Sequence, residues 1–445
     1  MVSSMTSVEQ VKIPGGYKQT EVGVIPEDWD VAPLNEICSF GGGTTPPRAQ
    51  HDRYFINGSN NWVKTTDLNN SLIGDSEEQI TDIAISETGL KLHPIGTVLV
   101  AMYGGFNQIG RTGYITRPSA INQALVAVKP KPKKLESYYL LSQLNYNVGY
   151  WKGVASSSRK DPNITSNDVK NYLLAFPLVK EQTAIANALS DVDALIASLK
   201  KLIAKKSAIK TASMQQLLTG QKRLPPFDQQ HTGYQKTELG EIPEDWEVQS
   251  LGRIFGFKNG LNKAKEFFGY GSPIVNYMDV YNYPGINSSD IRGLVDVTKE
   301  ETSAYSVKNG DVFFTRTSET VDEIGITTVL LDDVINGVFS GFILRAREKV
   351  DALDLLFKKY CFSSYYIRKQ IKSTSSYTTR ALTNGTLLSN VKLAFPKGKE
   401  EQAAIAKVLS DMDAEIDALE LRLDKTQQIK QGMMQELLTG KTRLI

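Results

Sequence analysis

The chain has 445 residues, of which 41% are hydrophobic and 22% are charged, and its formal net charge is +2. This length is too great for one ordinary domain, so at least two domains are expected. No apolar run approaches the roughly 18 residues of a membrane span, the start lacks a signal-peptide pattern, and only Cys38 and Cys361 are present. These features argue against a membrane protein, a disulfide framework and a cysteine-based zinc cluster, and they favour the cytoplasm.

The chain repeats its own organisation. Residues 16–34 read GYKQTEVGVIPEDWDVAPL and residues 233–251 read GYQKTELGEIPEDWEVQSL, with 12 of 19 positions identical at an offset of 217. We call these two stretches the opening segments. The two halves also end alike, in FPLVKEQTAIANALSDVDAL from Phe176 and FPKGKEEQAAIAKVLSDMDAE from Phe395. Repetition on this scale indicates a duplicated unit.

The repeat predicts alternating recognition domains and helical regions. The predicted boundaries are a tail at 1–15, a first domain at 16–175, a helical region at 176–224, a linker at 225–232, a second domain at 233–394 and a helical region at 395–445.

The two domains differ in sequence but share the same order of predicted elements. A glycine turn, GGGTTPPR from Gly41 or KNGLNKAK from Lys258, is followed by WVKTTDL or VNYMDV. A strand pair comes next, TVLVAM with TGYIT in the first domain and DVFFTRT with ITTVLL in the second. Short runs of β-branched and aromatic residues bounded by glycine, proline and asparagine are typical of strands. We therefore expect an α+β protein with two similar α/β domains.

The two tails predict long helices with a narrow apolar seam. The seam positions, spaced 4,3,4,3,4, are Ile185, Leu189, Val192, Ile196, Leu199 and Ile203 in the first tail and Ile405, Leu409, Met412, Ile416, Leu419 and Leu423 in the second. Lys206 and Thr426 interrupt the seams, and the apolar pattern resumes at Ile209 and Ile429. Glycine after a periodic run is a typical helix stop, so the helices are expected to end near Gly220 and Gly440.

The seams could be buried in two ways. Each helix could form a coiled coil with a second copy of the chain, or the two helices could pair antiparallel within one chain. Residues 180–224 carry eight Lys and Arg against three Asp and Glu, whereas residues 397–445 carry eight against nine. This difference favours the mixed pairing, which predicts a pseudo-twofold repeat of two domains separated by two antiparallel coiled-coil helices.

The residues of the usual active sites are sparse. The only histidines are His51, His93 and His231, and no HExxH, GxSxG or P-loop pattern occurs. We therefore predict no catalytic residue and no metal site. A conserved skeleton with different surface chemistry indicates two recognition modules for different targets.

Polar and basic loops occur at matched places in the two domains. WKGVASSSRKDPNIT at 151–165 and QIKSTSSYTTRALTN at 370–384 each present hydroxyls and an arginine, which suit phosphates or guanine. Asparagine suits adenine and glutamate suits cytosine N4, so the domains would read different bases. The candidates are Arg48, Lys64, Thr65, Tyr103, Asn107, Arg111, Ser157, Ser158, Arg159 and Lys160 in the first domain and Lys263, Arg316, Thr317, Glu319, Ser375, Tyr377, Thr379 and Arg380 in the second. Solvated loops, and simple packing of Tyr103, are the alternative interpretations.

The paired opening segments, GGGTTPPR, WVKTTDL, GTVLVAMYG and the paired FP…LLTG tails together resemble the specificity (S) subunit of type I restriction-modification enzymes. The resemblance covers nearly the whole chain after about residue 15. It implies two target recognition domains, each reading half of a bipartite, asymmetric sequence in double-stranded DNA. It also implies helices that set the spacer and dock two methyltransferase (M) subunits, with restriction (R) subunits joining outside.

The resemblance further implies no catalysis and no cofactor on this chain, because S-adenosylmethionine binds the partner. Recognition domains vary within the family, so base-contacting residues are not transferred. Two other classes stay open. One is a coiled-coil interaction protein with two modules for ligands other than DNA, and the other is a nuclease or methyltransferase acting alone.

Overall fold

The computed structural model describes residues 13–155, 163–230, 233–377 and 380–444. The chain forms two compact units: unit 1 is Met1–Lys200 with Leu421–Ile445, and unit 2 is Lys201–Glu420.

The first half of the chain is mainly a set of short strands followed by one long helix. Its strands are β1 (Tyr17–Thr20), β2 (Gly23–Pro26), β3 (Asp30–Pro33), β4 (Cys38–Gly41), β5 (Asn60–Val63), β6 (Ser71–Ile73), β7 (Gln79–Ile80), β8 (Val98–Ala101), β9 (Thr112–Ile115), β10 (Ser119–Ile121), β11 (Leu125–Pro130) and β12 (Leu173–Phe176). Its helices are α1 (Leu34–Ile37), α2 (His51–Tyr54), α3 (Asp82–Thr88), α4 (Ser137–Tyr146), α5 (Tyr150–Val154), α6 (Ser166–Lys170) and α7 (Val179–Leu218).

The second half repeats this order. Its strands are β13 (Tyr234–Thr237), β14 (Gly240–Pro243), β15 (Trp246–Ser250), β16 (Phe255–Asn259), β17 (Phe268–Val275), β18 (Gly285–Ile286), β19 (Leu294–Val295), β20 (Val312–Thr315), β21 (Thr317–Ser318), β22 (Thr327–Leu330), β23 (Val338–Phe339), β24 (Ile343–Glu348), β25 (Ser376–Tyr377), β26 (Ala381–Leu382) and β27 (Lys392–Pro396). Its helices are α8 (Leu251–Ile254), α9 (Tyr277–Asn282), α10 (Lys299–Ala304), α11 (Lys358–Cys361), α12 (Tyr365–Thr374), α13 (Gly385–Ser389) and α14 (Lys399–Leu437).

Each unit contains a five-stranded sheet of the same topology. The strand orders are β4-β11-β8-β9-β6 and β16-β24-β20-β22-β18, with only the last pair of each sheet parallel. The predicted strand pairs are confirmed as β8 with β9 and β20 with β22. A smaller three-stranded sheet accompanies each, in the orders β10-β5-β7 and β19-β17-β23. The fold is thus mixed α/β with two sheet-rich units, as the repeat predicts.

Both faces of each large sheet are buried. Side chains alternate across a strand, so Val98 of β8 joins a core with Leu140 of α4, whereas Leu99 joins a separate core with Val63. In β20 the alternation is the same, because Val312 and Phe313 belong to different cores. All-apolar strand runs such as VLVA and VFFT are expected for strands covered on both sides.

The opening segments pack on the ends of the long helices. In unit 1, the Tyr17 hydroxyl donates to the carbonyl of Gly440 at 3.1 Å. In unit 2, the Tyr234 hydroxyl donates to the carbonyl of Gly220 at 3.3 Å. The opening segment of each unit therefore binds the helix that ends the other half of the repeat, α14 in unit 1 and α7 in unit 2.

Both helix-ending glycines are required by conformation and by space. Gly220 has φ +71° and Gly440 has φ +72°, the left-handed region that favours glycine. A Cβ on Gly220 would lie 2.5 Å from Cδ of Pro243, and one on Gly440 would lie 2.4 Å from Cγ of Pro26. The prediction that these glycines mark the helix ends is confirmed.

An arginine just beyond each glycine ties three segments together. Arg223 donates to Glu401 in the first turn of α14, from Nε at 2.8 Å and from Nη2 at 2.6 Å, and its Nη1 donates to Asp245 at 3.0 Å. Arg443 makes the same contacts with Glu181 in the first turn of α7 and with Asp28. We call these groups the arginine clamps. Hydrogen bonding to Arg443 lowers the pKa of the Asp28 carboxyl.

The two long helices pack together antiparallel within each unit. In unit 2, Lys206 of α7 lies 2.7 Å from Glu415 of α14, and Lys210 pairs with Asp413. In unit 1, Asp193 of α7 lies 2.6 Å from Lys430 of α14. The charge imbalance between the tails is thus used in ion pairs between the helices, and the seams meet within one chain. Helices α7 and α14 have 40 and 39 residues, as the periodicity predicts.

The predicted seam residues are all buried or half-buried. Fully buried members include Ile185 and Leu189 in unit 1 and Ile405 and Leu409 in unit 2, and these four join the cores beside the sheets. The other seam residues, each buried or half-buried, are Val192, Ile196, Leu199 and Ile203 in α7 and Met412, Ile416, Leu419 and Leu423 in α14.

The prediction that the seams resume at Ile209 and Ile429 is wrong. These side chains are 42% and 59% exposed. Lys206 and Lys210, four residues apart on one face of α7, turn toward α14 and use that face for ion pairs, so Ile209 faces solvent.

No helix within the described ranges combines the length and the apolar composition of a membrane span.

The clamp around Arg223 is the more buried of the two, and replacing this arginine should destabilise unit 2. The side chains of Arg223 and Glu401 are only 4% and 5% exposed, so Arg223→Ala leaves a buried carboxylate without a counter-charge. We expect the free energy of unfolding to fall by about 3 kcal/mol or more. Hydrogen exchange of the opening segment at 233–251 measures this loss.

The matched control is Lys407→Ala, which breaks the exposed ion pair with Asp411. We expect this change to cost less than about 0.5 kcal/mol. Equal effects of the two variants would contradict the role assigned to the clamp.

Asp413 should make the helix pair of unit 2 sensitive to acid. Burial raises its pKa, but hydrogen bonds from Lys210 and Tyr360 outweigh burial and hold the pKa below its ordinary value. Stability from this ionised carboxyl is therefore complete above the unfolded-state pKa and is lost as pH falls through the lower folded-state pKa. Asp413→Asn should lower the melting temperature at pH 7.

The difference between Asp413→Asn and the wild type should begin to narrow as the pH falls below about 4, where the carboxyl of the unfolded chain takes up its proton, and should disappear only below the lower folded-state pKa. Melting curves from pH 3 to pH 8 test this, with Asp411→Asn as the exposed control. A gap that does not change with pH would show that the ionised state of Asp413 is irrelevant.

Candidate nucleic-acid interface

Matched turns follow β5 and β17 in the two units. In unit 1, the backbone N–H of Lys64 donates to the Asp67 carboxylate at 2.7 Å. In unit 2, the backbone N–H of Asn276 donates to the Asp279 carboxylate at 2.8 Å. The aspartate of WVKTTDL and of VNYMDV thus fixes the same turn, while the residues that the turn displays differ.

Arg48 and Lys64, two cationic candidates of unit 1, form ion pairs with neighbouring carboxylates. Arg48 and Lys64 both contact the Glu78 carboxylate at 2.7 Å, and Lys64 also lies 3.1 Å from Glu77. Arg48 additionally lies over the ring of Phe55 at 4.4 Å. The hydrogen bond from Arg48 lowers the pKa of Glu78, against burial, with Lys64 adding to the effect. Both cations therefore form part of the local structure.

Thr65, which follows Lys64, is half-buried and begins a 3-10 turn. Its carbonyl accepts a hydrogen bond from the N–H of Leu68.

The loop after β8 presents the remaining described candidates of unit 1. Tyr103 is 45% exposed, Asn107 is exposed and Arg111 is half-buried. Within the described residues, these three side chains make no hydrogen bond or ion pair. Ile109 anchors the loop in the core, and Phe106, which sequence reasoning did not select, is 48% exposed beside Asn107. The loop therefore offers two exposed aromatics and a free amide.

The predicted contact residues Ser157, Ser158, Arg159, Lys160 and Thr379 lie outside the described residues, and Tyr377 is described only as part of the backbone of β25. Ser375 uses its hydroxyl locally, donating to the carbonyl of Lys372 at 2.8 Å.

Two cationic candidates of unit 2 also have internal partners. Lys263 pairs with Glu301 at 2.8 Å and lies 4.7 Å from the ring centroid of Phe267. Arg316 donates from Nη1 to the carbonyl of Gly341 at 3.2 Å. Arg316 thereby supports the turn that precedes the exposed Phe342.

The structure brings three other candidates of unit 2 together in one cleft. This cleft, of about 520 Å³, is lined by Tyr277, Met278, Tyr281, Thr317, Ser318, Glu319, Glu323, Phe342 and Arg380. We call it the unit 2 cleft. Thr317, Glu319 and Arg380 were predicted, whereas Met278 and Phe342, which are 54% and 66% exposed, were missed. Alignment of VNYMDV with VKTTDL could have identified Met278 as a candidate, because it places this apolar residue at a position where unit 1 has threonine.

One wall of the unit 2 cleft is fixed by a hydrogen-bonded carboxylate. Glu323 accepts from the Tyr281 hydroxyl at 2.8 Å and from the Ser318 hydroxyl at 3.1 Å. These bonds lower its pKa, that from Tyr281 having the larger effect. The rings of Tyr277 and Tyr281 stack with centroids 5.9 Å apart. The wall is therefore preorganised before any ligand binds.

The exposed groups of both units are of chemical types that can contact nucleobases. Amide, carboxylate and guanidinium groups pair with base edges, and exposed aromatic rings contact bases or thymine methyl groups. In the described part of the chain, no group of three or more His, Cys, Asp and Glu side chains is arranged to hold a metal ion.

The family model of the type I restriction modification DNA specificity domain matches residues 26–206 and 243–431, one copy in each half of the chain. The chain belongs to the family of type I restriction-modification specificity subunits. A putative MjaX specificity subunit from Methanocaldococcus jannaschii is 28% identical, covering 96% of this chain and 97% of the relative. The EcoKI specificity subunit from Escherichia coli is 21% identical over 90% of this chain and 86% of its own length.

A solved structure of an S subunit from M. genitalium has the same fold. It superposes with a TM-score of 0.56 at 17% identity and covers 92% of this chain and 96% of its own. The predicted resemblance to this family is confirmed.

Proposed function

We propose that this chain is the DNA sequence-specificity subunit of a type I restriction-modification complex, and that each unit reads one half of a bipartite, asymmetric target. The observation that carries this proposal is a pair of units with one sheet topology and different chemistry at matched positions. Thr65 of unit 1 corresponds to Tyr277 of unit 2, and Tyr103 corresponds to Thr317. A shared scaffold with different reading groups suits two unlike half-sites.

The partners in this proposal are double-stranded DNA, two methyltransferase subunits and, in the full complex, restriction subunits. The chain itself has no catalytic residue and binds no cofactor, because the methyltransferase partners supply the chemistry. The helices α7 and α14 dock these partners. Membership of the family supports this assignment.

Base reading is assigned to exposed and half-buried groups on the surfaces of the two units. In unit 1 these are Tyr103, Asn107 and Arg111, and in unit 2 they belong to the cleft. Arg48, Lys64 and Lys263, also predicted to bind DNA, have carboxylate partners and so have less charge available for phosphates. We assign them a supporting role at the DNA surface.

The proposal predicts one bipartite methylation motif. The chain, assembled with its methyltransferase subunits and incubated with genomic DNA, should methylate one split sequence that sequencing of methylated bases identifies. A joint Tyr103→Ala and Asn107→Ala variant should relax one half-site by roughly 5- to 150-fold per lost base contact and leave the other half-site unchanged.

Lys91→Ala, an exposed change elsewhere in unit 1, is the control and should leave the motif intact. Methylation without a split motif, or none at all from a stable assembly, would contradict the proposed function. In that case the chain would be an interaction protein for other ligands.

We also propose that the length of α7 and α14 sets the unread spacer in the target. Both helices run without interruption through the borders between the units, at 200/201 and 420/421. Seven residues inserted at each border keep the seam in register and lengthen each helix by about 10 Å. The methylated motif should then have a spacer longer by about three base pairs.

The control for this experiment is the same insertion in α14 alone, which breaks the register of the seam. It should reduce methylation without producing a longer spacer. An unchanged spacer in the double insertion would show that the helices do not determine it.

A further inference from the structure

The unit 2 cleft contains an uncompensated pair of opposite charges. Glu319 and Arg380 are both exposed, and both line the cleft. Neither makes an ion pair or a side-chain hydrogen bond within the described residues of unit 2. They do not pair with each other, although both face the same space.

Strand pairing brings these two residues to the same end of a pair of adjacent strands. In a further three-stranded sheet of unit 2, with the order β21-β26-β25, Thr317 of β21 pairs with Leu382 of β26, and Ser318 pairs with Ala381. The next position along this antiparallel register is Glu319 with Arg380. Because Glu319 directly follows β21 and Arg380 directly precedes β26, one carboxylate and one guanidinium start from neighbouring points of the chain that line the cleft.

The third charged residue that lines the cleft is already engaged. Glu323 accepts from the hydroxyls of Tyr281 and Ser318. Arg316, which precedes Thr317 in the chain, donates to the carbonyl of Gly341. The side chains of Glu319 and Arg380 are therefore the charged groups that this part of the cleft offers to a ligand.

A phosphate is a poor match for this pair, because the carboxylate of Glu319 would repel it. A G·C base pair is a close match, since guanine presents the acceptors O6 and N7 in the major groove and cytosine presents the N4 donor next to them. The guanidinium can donate both of its forked N–H groups to guanine, while the carboxylate accepts from cytosine N4. An A·T pair has no base with two adjacent acceptors for the guanidinium.

We propose that Arg380 and Glu319 read a single G·C base pair in the half-site of unit 2, with Arg380 on guanine and Glu319 on cytosine. This inference rests on the proposed function and adds the identity of one base pair and of the two side chains that select it. Thr317, Met278 and Phe342 surround the pair and line the rest of the cleft.

The test uses the chain assembled with its methyltransferase subunits. Binding of duplex DNA that carries the wild-type motif, or each single base-pair change in it, is measured for the wild type, Arg380→Ala and Glu319→Gln at two salt concentrations. The half-site of unit 2 is the one that the Tyr103 and Asn107 variant leaves unchanged. Arg253→Ala and Glu300→Gln are charge-matched controls at exposed positions of unit 2.

The wild type should prefer G·C at one position of this half-site by roughly 5- to 150-fold, and both variants should reduce the preference at that same position to about threefold or less. The preferences at all other positions, and the affinities of the controls, should not change. Glu319→Gln should also increase the tolerance of adenine in place of cytosine, because glutamine pairs with adenine N6 and N7.

Two results would overturn the inference while leaving the proposed function intact. One is a split motif that neither variant changes, or that the two variants relax at different base pairs. The other is a uniform loss of affinity with a smaller salt dependence in Arg380→Ala, which identifies a phosphate contact. A wild-type assembly that recognises no split motif contradicts the proposed function and this inference with it.

Discussion

The arginine clamps are the contacts on which the rest of the structure depends. Each clamp joins the first turn of one long helix, the end of the other and an opening segment, and Arg223 and Glu401 are almost completely buried. A buried ion pair is costly to desolvate, so it persists only when both charges are fully hydrogen-bonded, as they are here. In return, the clamp admits one register of the helix pair, because a shift of one residue would leave the arginine without its carboxylate.

This constraint explains why the opening segment occurs twice while the domain that follows it changes. Its tyrosine, proline, tryptophan and acidic residue all make contacts at the end of a long helix. The packing there leaves no room for a side chain at the helix-ending glycine. A change in any one of them would remove a contact with the end of a long helix. The loops after β8 and β20 are not involved in this contact, so their residues are free to differ.

The sequence predicted the elements whose evidence is periodic or local. Short runs of β-branched and aromatic residues identified β8 and β20, and the helical period with a terminal glycine identified α7 and α14. The period does not specify the partner of each seam position, and so it wrongly placed Ile209 and Ile429 in the interface. There the helices meet through charges such as Lys210 with Asp413, which a pattern of apolar residues cannot show.

The candidate site was only partly predictable for a related reason. Residue type indicated which side chains suit DNA, but it did not show which of them already had partners. Lys64 and Lys263 have the same chemistry in the sequence as a free lysine, and only the fold shows Glu78 and Glu301 beside them. The apolar residues Met278 and Phe342 of the unit 2 cleft were missed because methionine and phenylalanine are usually buried in a core.

The distribution of charge suggests how affinity and selectivity are divided in the complex. Phosphate contacts supply most of the affinity of proteins for DNA, and base contacts supply the sequence preference. This chain has a net charge of only +2, and several of its candidate cations are held by carboxylates. In contrast, Asn107, Glu319 and Arg380 are exposed and have no partner among the described residues. Under the proposed function, a subunit with this arrangement contributes more to the choice of sequence than to the strength of binding.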